Sequence, residues 1–177
     1  MYRLMARALL PDMKVLEVAT GTGLIAINIA ACVCHVEATD FPPGMIAAAK
    51  KKKAPDNVHF SVEDATGLSF ADNSFDAVIV SNALHVMPNP VNVLLGMKRV
   101  LKSQGLLIAP TYAHGHSHDV TWNLNAKILK LLGFETYARW KPEEYVEFIR
   151  QNGFRIASWQ VLKAAFPLVY LEARKVG

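Results

Sequence analysis

Residues Val15–Gly23 (VLEVATGTG) join an apolar run to two closely spaced glycines, and an apolar helical pattern follows them. We expect the run to form a buried strand. Gly21 and Gly23 then open a helix, where the missing side chains let a ligand reach the backbone. The next residues complete the form G-x-G-x-x-A, which also occurs in nicotinamide dinucleotide-binding domains. By itself the motif predicts a strand, a turn and a helix, and it leaves open which ligand the turn holds, or whether it holds one.

Short apolar runs rich in β-branched residues alternate with helical patterns over the first two thirds of the chain. The expected strands are Lys14–Val18, Cys34–Thr39, Val58–Glu63, Phe75–Ser81 and Gly105–Thr111, and the expected helices are Leu24–Ala31, Met45–Lys53 and Val91–Leu101. This alternation predicts a parallel sheet that is covered by helices on both faces.

The C-terminal third departs from that order. Pro142 stands at the favoured first position of a helix that ends at Gly153. Arg155–Leu162 and Leu168–Lys175 have strand patterns, and five residues connect them, too few for a parallel crossover. These two strands should therefore pair antiparallel. The whole pattern predicts an α/β fold, a three-layer Rossmann-like sandwich whose seven-stranded, mostly parallel sheet has an antiparallel C-terminal strand.

Acidic residues follow the predicted second and third strands. Asp40 ends the second strand, 23 residues after Glu17, where a carboxylate can accept both hydroxyls of a ribose. Asp64 ends the third strand, and Leu68–Asp76 leads into the buried fourth. Any one of these acids could be a helix cap or a loop residue. Because ligands of open α/β sheets bind at the carboxyl ends of the strands, their joint placement predicts a ligand site at this edge.

Composition narrows the classes of protein. The chain has 177 residues, 52% of them hydrophobic, which suits one domain. The net charge of +4 is scattered apart from Lys50–Lys53, a run typical of a solvated helix end, so a nucleic-acid partner is not expected. No apolar run has the length of a membrane span, and no secretory signal is evident. We expect a cytoplasmic protein, whose oligomeric state the sequence does not determine.

These motifs resemble the class I methyltransferases that depend on S-adenosylmethionine, nearest to the small-molecule enzymes of ubiquinone and menaquinone biosynthesis. The resemblance runs from Lys14 to Lys175. It rests on Val15–Gly23, on Asp64 with Leu68–Asp76, on Lys98–Gly105 (KRVLKSQG), and on Gly153-Phe154 with the final hairpin. It implies an enzyme of one domain, residues 1–177, with a substrate-side insertion at 112–141. The implied reaction moves a methyl group to a small acceptor, apolar or quinone-like.

The resemblance also implies a set of residues for S-adenosylmethionine. They are Glu17, Ala19, Thr20, Gly21 and Gly23 around the methionine part, Asp40 on the ribose, Phe41 and Met45 on the adenine, Asp64 and the Ala65 backbone at the adenine amino group, and Ser81 or Asn82 at the methionine end. Ala19 departs from the family, which often has a glycine at that position. Only thirteen residues precede the first strand, where relatives carry a longer helical segment, so the site could be open, completed by a partner or truncated.

On the acceptor side, His85 is the candidate general base, needed only for an acidic acceptor, with a structural histidine as the alternative. Tyr112, His114 and His116 follow the fifth strand and are expected at the substrate rim. With His118, the last two could bind a metal, although a solvent-facing loop is preferred and no metal is expected. Trp122–Phe134 has a helical pattern that suits core packing or a lid.

Two other functions stay open at this point. One is an NAD(P)-dependent oxidoreductase with the same glycine-rich turn, against which the terminal hairpin, Asp64 and Glu17 count. The other is a non-catalytic module that binds S-adenosylmethionine.

Overall fold

The fold was obtained as a computed structural model, which describes residues 1–113, 137–163 and 167–177. Eight strands form one sheet: β1 (Lys14–Val18), β2 (His35–Asp40), β3 (Val58–Val62), β4 (Phe75–Val80), β5 (Leu101–Ile108), β6 (Thr111–Tyr112), β7 (Phe154–Leu162) and β8 (Leu168–Lys175). The described helices are α1 (Tyr2–Ala8), α2 (Leu24–Ile29), α3 (Pro43–Lys50), α4 (Pro90–Val100) and α5 (Pro142–Gln151), with 3₁₀ turns at Ala30–Cys32 and Leu84–Val86.

The strands lie in the order β3-β2-β1-β4-β5-β8-β6, and β7 pairs with β8 along its whole length, from Leu168 to Lys175. Strands β1 to β5 pair in parallel, whereas β8 runs antiparallel to β5, β6 and β7. The mostly parallel sheet and its antiparallel C-terminal strand are therefore confirmed. The antiparallel pairing of β7 with β8 follows from the length of the segment between them, because so short a connection allows only antiparallel strands.

The predicted fifth strand is divided in the structure. It begins earlier than expected, at Leu101, and ends at Ile108, and the two-residue strand β6 follows separately. Pro110 lies between them and has no N–H to donate to a sheet ladder. Its carbonyl instead accepts a hydrogen bond from the Asn82 backbone N–H at 2.8 Å, which ties the end of β5 to the end of β4.

Helices pack on both faces of the sheet, as a three-layer sandwich requires. One core cluster joins buried residues of α4 and α5 to the sheet, for example Met97 and Tyr145 on Val78. The second cluster joins α1 and α2 to the opposite face, with Met5 and Ile29 among its buried members. Strand β4 contributes to both clusters. This explains why its sequence is almost wholly apolar instead of alternating.

The guanidinium of Arg99, near the end of α4, holds the segment that leads into β4. Its Nη1 donates to the Phe70 carbonyl and to Asp72 Oδ1, each at 2.7 Å, and its Nη2 donates to the Leu68 carbonyl at 2.6 Å. A single planar group thus supplies donors to two carbonyls and one carboxylate, an arrangement that an ammonium group cannot reproduce.

We expect Arg99→Ala to lower the free energy of unfolding by about 2–4 kcal/mol, because two partly buried carbonyls lose their donors. Lys102→Ala is the matched control. Lys102 makes one exposed ion pair, to Asp76, and its loss should cost at most about 1 kcal/mol. Urea unfolding of both variants measures the difference, and equal losses would contradict this assignment.

Candidate functional site

A cavity of about 810 Å³ opens at the carboxyl ends of the parallel strands. It lies between the ends of β1 and β2 on one side and the segment after β4 on the other, where open α/β sheets bind ligands. Its lining residues are Ala19, Gly21, Asp40, Phe41, Pro42, Met45, Ser81, Asn82, Ala83, Val86, Pro88 and Tyr137. The structure thus brings seven of the predicted cofactor residues to one cavity: Ala19, Gly21, Asp40, Phe41, Met45, Ser81 and Asn82.

The two glycines of the turn have different roles. Both have left-handed backbones, with φ of +58° at Gly21 and +77° at Gly23. A Cβ added at Gly21 would meet no described atom within 4 Å, so this residue leaves open space at the cavity wall. A Cβ added at Gly23 would lie 2.6 Å from the Phe60 ring. Gly21 therefore leaves open space beside the cavity, whereas Gly23 permits close packing of the start of α2 on Phe60 in β3.

Glu17 stabilises the turn from inside the protein. Its side chain is buried, and Oε2 accepts hydrogen bonds from Thr20 Oγ1 at 2.7 Å and from the Ala26 N–H at 2.9 Å. Burial raises the pKa of Glu17 to about 8, with a further rise from the nearby Asp40 charge; the two hydrogen bonds oppose this rise. Glu17 and the buried Thr20 do not line the cavity, so they shape the turn from behind.

Asp40 supports the same turn from the cavity side. Its Oδ2 accepts a hydrogen bond from the Gly21 N–H at 2.6 Å, which holds the turn against the end of β2. Among the described residues, none donates to the other oxygen, Oδ1. Phe41 follows the end of β2 and Met45 lies in the first turn of α3, and they are 67% and 41% exposed. A charged hydrogen-bond acceptor, Asp40, therefore lines the same cavity as two exposed apolar side chains.

Asn82 is a polar lining residue that follows β4. It has a left-handed backbone (φ +53°), uncommon for a residue with a side chain, and this directs the chain away from β4. Its side-chain Oδ1 is buried and has no hydrogen-bond partner within the described ranges. Buried polar atoms are nearly always paired, so this oxygen is a candidate to accept a hydrogen bond from a group outside the described residues.

Comparison with known proteins decides the family. A family model described as "Methyltransferase domain" matches residues 16–109, more than half of the chain. The chain belongs to the methyltransferase-domain family. The resemblance drawn from Val15–Gly23 and Leu68–Asp76 is confirmed, and the match favours the methyltransferases over the oxidoreductases that share the glycine pattern.

Two relatives of this methyltransferase domain are demethylmenaquinone methyltransferases. The one from Renibacterium salmoninarum is 41% identical over 104 residues, which are 59% of this chain and 43% of the relative. The one from Clavibacter sepedonicus is 40% identical over 96 residues, 54% of this chain and 39% of the relative. The matched part of the chain therefore spans about two fifths of the length of these relatives.

The whole described fold has counterparts among solved structures. A SAM-dependent methyltransferase from Methanosarcina mazei superimposes with a TM-score of 0.83, covering 99% of this chain and 98% of that one. The two sequences are 19% identical, so this likeness shows the fold alone.

Some predicted residues of the methyltransferase domain lie outside the cavity lining. Asp64 is exposed, and its Oδ1 accepts from the Thr66 N–H and hydroxyl at 2.8 and 2.7 Å. These two bonds lower the pKa of Asp64 and place its carboxylate on a local turn. Ala65 does not line the cavity either, and the predicted contact of Asp64 and Ala65 with adenine stays a prediction. Gly23 is also absent from the lining.

The acceptor-side residues are also separated. His85 lies in the 3₁₀ turn after β4, with Nδ1 3.1 Å from Thr111 Oγ1, and is not part of the cavity lining. Tyr112 lies in β6, paired with Leu168 of β8. The predictions for His114, His116, His118 and Trp122–Phe134 fall outside the described residues.

Within residues 1–113, 137–163 and 167–177, no helix is long and apolar enough to span a membrane. Within the same ranges, no three His, Cys, Asp or Glu side chains are grouped so that they could hold a metal ion.

Sequence reasoning missed part of the cavity wall. Val86 and Pro88 follow β4 and could have been found from their position just after a strand end. Tyr137 had no such signal. It reaches the cavity because its N–H and that of Ala138 both donate to the His85 carbonyl, at 2.9 and 3.1 Å. That contact joins segments 52 residues apart in the sequence.

Proposed function

We propose that this protein transfers a methyl group from S-adenosylmethionine to a small, uncharged acceptor. The observation that carries the proposal is that the cavity lining contains both a polar and an apolar set of residues. Asp40, Asn82 and the open backbone at Gly21 form the polar set, named the polar wall, and Ala83, Val86, Pro88 and the ring of Tyr137 form the apolar set, named the apolar or acceptor wall. A polar wall suits the donor, whereas an apolar wall suits the acceptor.

The polar wall fits the hydrogen-bonding groups of S-adenosylmethionine. Neither Asp40 Oδ1 nor Asn82 Oδ1 has a hydrogen-bond donor among the described residues. The Asp40 oxygen can accept from a ribose hydroxyl, and the Asn82 oxygen can accept from an ammonium group. Gly21 leaves room for close approach to the backbone. Phe41 and Met45 supply the apolar surface that a base ring would cover. When bound, this donor supplies a methyl group activated by a sulfonium, so the residues of the chain must mainly align the reactants and exclude water.

The apolar wall argues for an uncharged acceptor. Asp40 is the one charged side chain among the described lining residues, and it belongs to the donor side. The absence of lysine and arginine from this described lining disfavours a nucleic-acid acceptor. The compound named for the two relatives, demethylmenaquinone, has a quinone ring and fits a wall of this kind. We also propose that the protein is cytoplasmic.

His85 is proposed as the general base for an acceptor that loses a proton from oxygen or from an acidic carbon. Thr111 fixes its ring through Nδ1, and its backbone carbonyl holds Tyr137 at the acceptor wall. A change of His85 would therefore alter both proton transfer and the wall. His85→Asn keeps a hydrogen-bonding side chain, so it tests proton transfer with the least disturbance of the wall.

Calorimetric titration with S-adenosylhomocysteine tests the proposal, with NAD as the parallel ligand. We expect micromolar binding of S-adenosylhomocysteine, weakened at least about tenfold by Asp40→Ala, which loses charge-assisted hydrogen bonds to the turn and the ligand. The control is Asp56→Ala, an exposed carboxylate outside this cavity, which should bind like the unchanged protein. Binding of NAD without S-adenosylhomocysteine would overturn the proposal. If S-adenosylhomocysteine binds but no acceptor is methylated, the protein is better described as a non-catalytic module that binds S-adenosylmethionine.

A further inference from the structure

Two carboxylates hold the glycine-rich turn from opposite sides. Glu17 bonds Thr20 Oγ1 from inside the protein, and Asp40 bonds the next residue, Gly21, from the cavity side. The side chain of Glu17 is 1% exposed, whereas Asp40 is half-buried at the cavity. Two consecutive residues, Thr20 and Gly21, therefore connect a buried carboxyl group to the polar wall.

Glu17 has no positive partner among the described residues. None of the four ion pairs found there includes Glu17. The titratable groups that face it are Asp40, at the end of β2, and the Tyr2 hydroxyl of α1, which is itself affected by the Glu17 charge. From α2 it receives only the Ala26 N–H. A buried carboxylate beside a second negative charge is unfavourable, so the neutral acid is the preferred form of Glu17 in the ligand-free protein.

We propose that Glu17 is protonated in the ligand-free protein and loses its proton when a positively charged methyl donor enters the cavity. This inference rests on the proposed function. The O–H bond of the Glu17 carboxyl breaks, the proton passes to solvent, and the resulting carboxylate balances the sulfonium charge. After transfer the product is an uncharged thioether, and Glu17 takes a proton back from solvent. Glu17 thus acts through Thr20 as a positioning residue that distinguishes the donor from its product by charge.

The raised pKa of Glu17, about 8, agrees with this geometry, because it leaves the group mostly protonated near neutral pH and close to titration. A positive ligand charge at the turn favours the ionised form of Glu17 and therefore lowers that pKa. Asp40 would remain the direct ligand contact, and Glu17 would respond to the net charge of what is bound.

Carbon-13 NMR of protein labelled at the glutamate side-chain carboxyl measures the ionisation directly, with Glu17→Gln identifying the resonance. We expect saturating S-adenosylmethionine at neutral pH to move the Glu17 resonance at least halfway to its carboxylate position. S-adenosylhomocysteine should bind and leave it near the acid position. Calorimetry in two buffers of different ionisation enthalpy should show more proton release with the donor from the unchanged protein than from Glu17→Gln. That difference cancels titration of the ligand itself.

A second variant keeps the test decisive if Glu17→Gln does not fold. Thr20→Val removes a hydrogen bond to the ionised form and should move the Glu17 titration in the ligand-free protein to higher pH. Donor binding with an unmoved Glu17 resonance would overturn this inference and leave the proposed function in place. Failure to bind either ligand would overturn both.

Discussion

Gly23→Ala should lower the free energy of unfolding by about 2–5 kcal/mol, the sum of a left-handed backbone penalty and a steric clash. The backbone at Gly23 has φ of +77°, and the added methyl would lie 2.6 Å from the ring carbons of Phe60 in β3. Ala49 Cβ, 3.3 Å away in α3, limits movement to the other side. The clash pushes the start of α2 away from Phe60 in β3, and we therefore expect the whole domain to be less stable.

Gly21→Ala is the matched control, two residues away. It incurs a similar backbone penalty of about 1–2 kcal/mol, with no clash against a described atom. Its methyl instead projects into open space at the cavity wall, so this variant should fold and bind S-adenosylhomocysteine at least about tenfold more weakly. Urea unfolding and calorimetry measure the two effects. Equal stability losses in both variants would contradict the division of roles between the glycines.

Because Glu17 is protonated in the folded protein, the free energy of unfolding should fall as pH rises from about 5 to about 8. Burial raises its pKa in the folded protein to about 8, whereas the ordinary value is 4.5. Between these values the folded protein holds a proton that the unfolded chain has released, so the stabilisation is complete below pH 4.5 and is lost as pH approaches 8. The shift corresponds to a loss on the order of 5 kcal/mol.

Glu17→Gln removes this titration and retains an oxygen that can accept from Thr20 and Ala26. Denaturant unfolding across the pH range should therefore give similar stabilities at the acidic end and a more stable variant at the alkaline end. Differences between the two proteins cancel the titration of histidines, which both contain. Glu63→Gln, which changes a half-buried carboxylate that bonds Ser69 away from the turn, is the control for loss of a carboxyl group elsewhere in the chain. Parallel pH–stability curves for Glu17→Gln and the unchanged protein would contradict the assignment.

Much of the fold followed from local sequence patterns. The strand boundaries around Lys14–Val18 and Leu168–Lys175 agree with the structure, because buried apolar runs and a five-residue connection restrict what the chain can do. The predicted fifth strand was less accurate, since its division depends on how Pro110 meets Asn82 across the sheet edge. Such a contact has no trace in the spacing of apolar residues.

The candidate site was predicted in part for the same reason. Asp40 ends β2, Ser81 and Asn82 follow β4, and parallel pairing of both strands with β1 brings their ends to one edge of the sheet. Spacing could not tell that Glu17 points inward, because both directions satisfy the same motif. Asp64 lies two residues after the end of β3, but its carboxylate bonds Thr66 and it does not line the cavity. The direction of a side chain is set by the donors around it after folding.

The sequence alone indicated the family through a resemblance, and it predicted the order of strands and helices and a ligand site at the carboxyl ends of the strands. The order and the predicted edge follow from periodicity, glycine placement and connection length, which act over short stretches of chain. Only the tertiary structure decided that Gly21 leaves open space at the cavity while Gly23 packs on Phe60, and that Tyr137 lines the cavity. Each of these depends on contacts between residues far apart in the sequence, and burial of such groups exists only once the sheet and its helices have assembled.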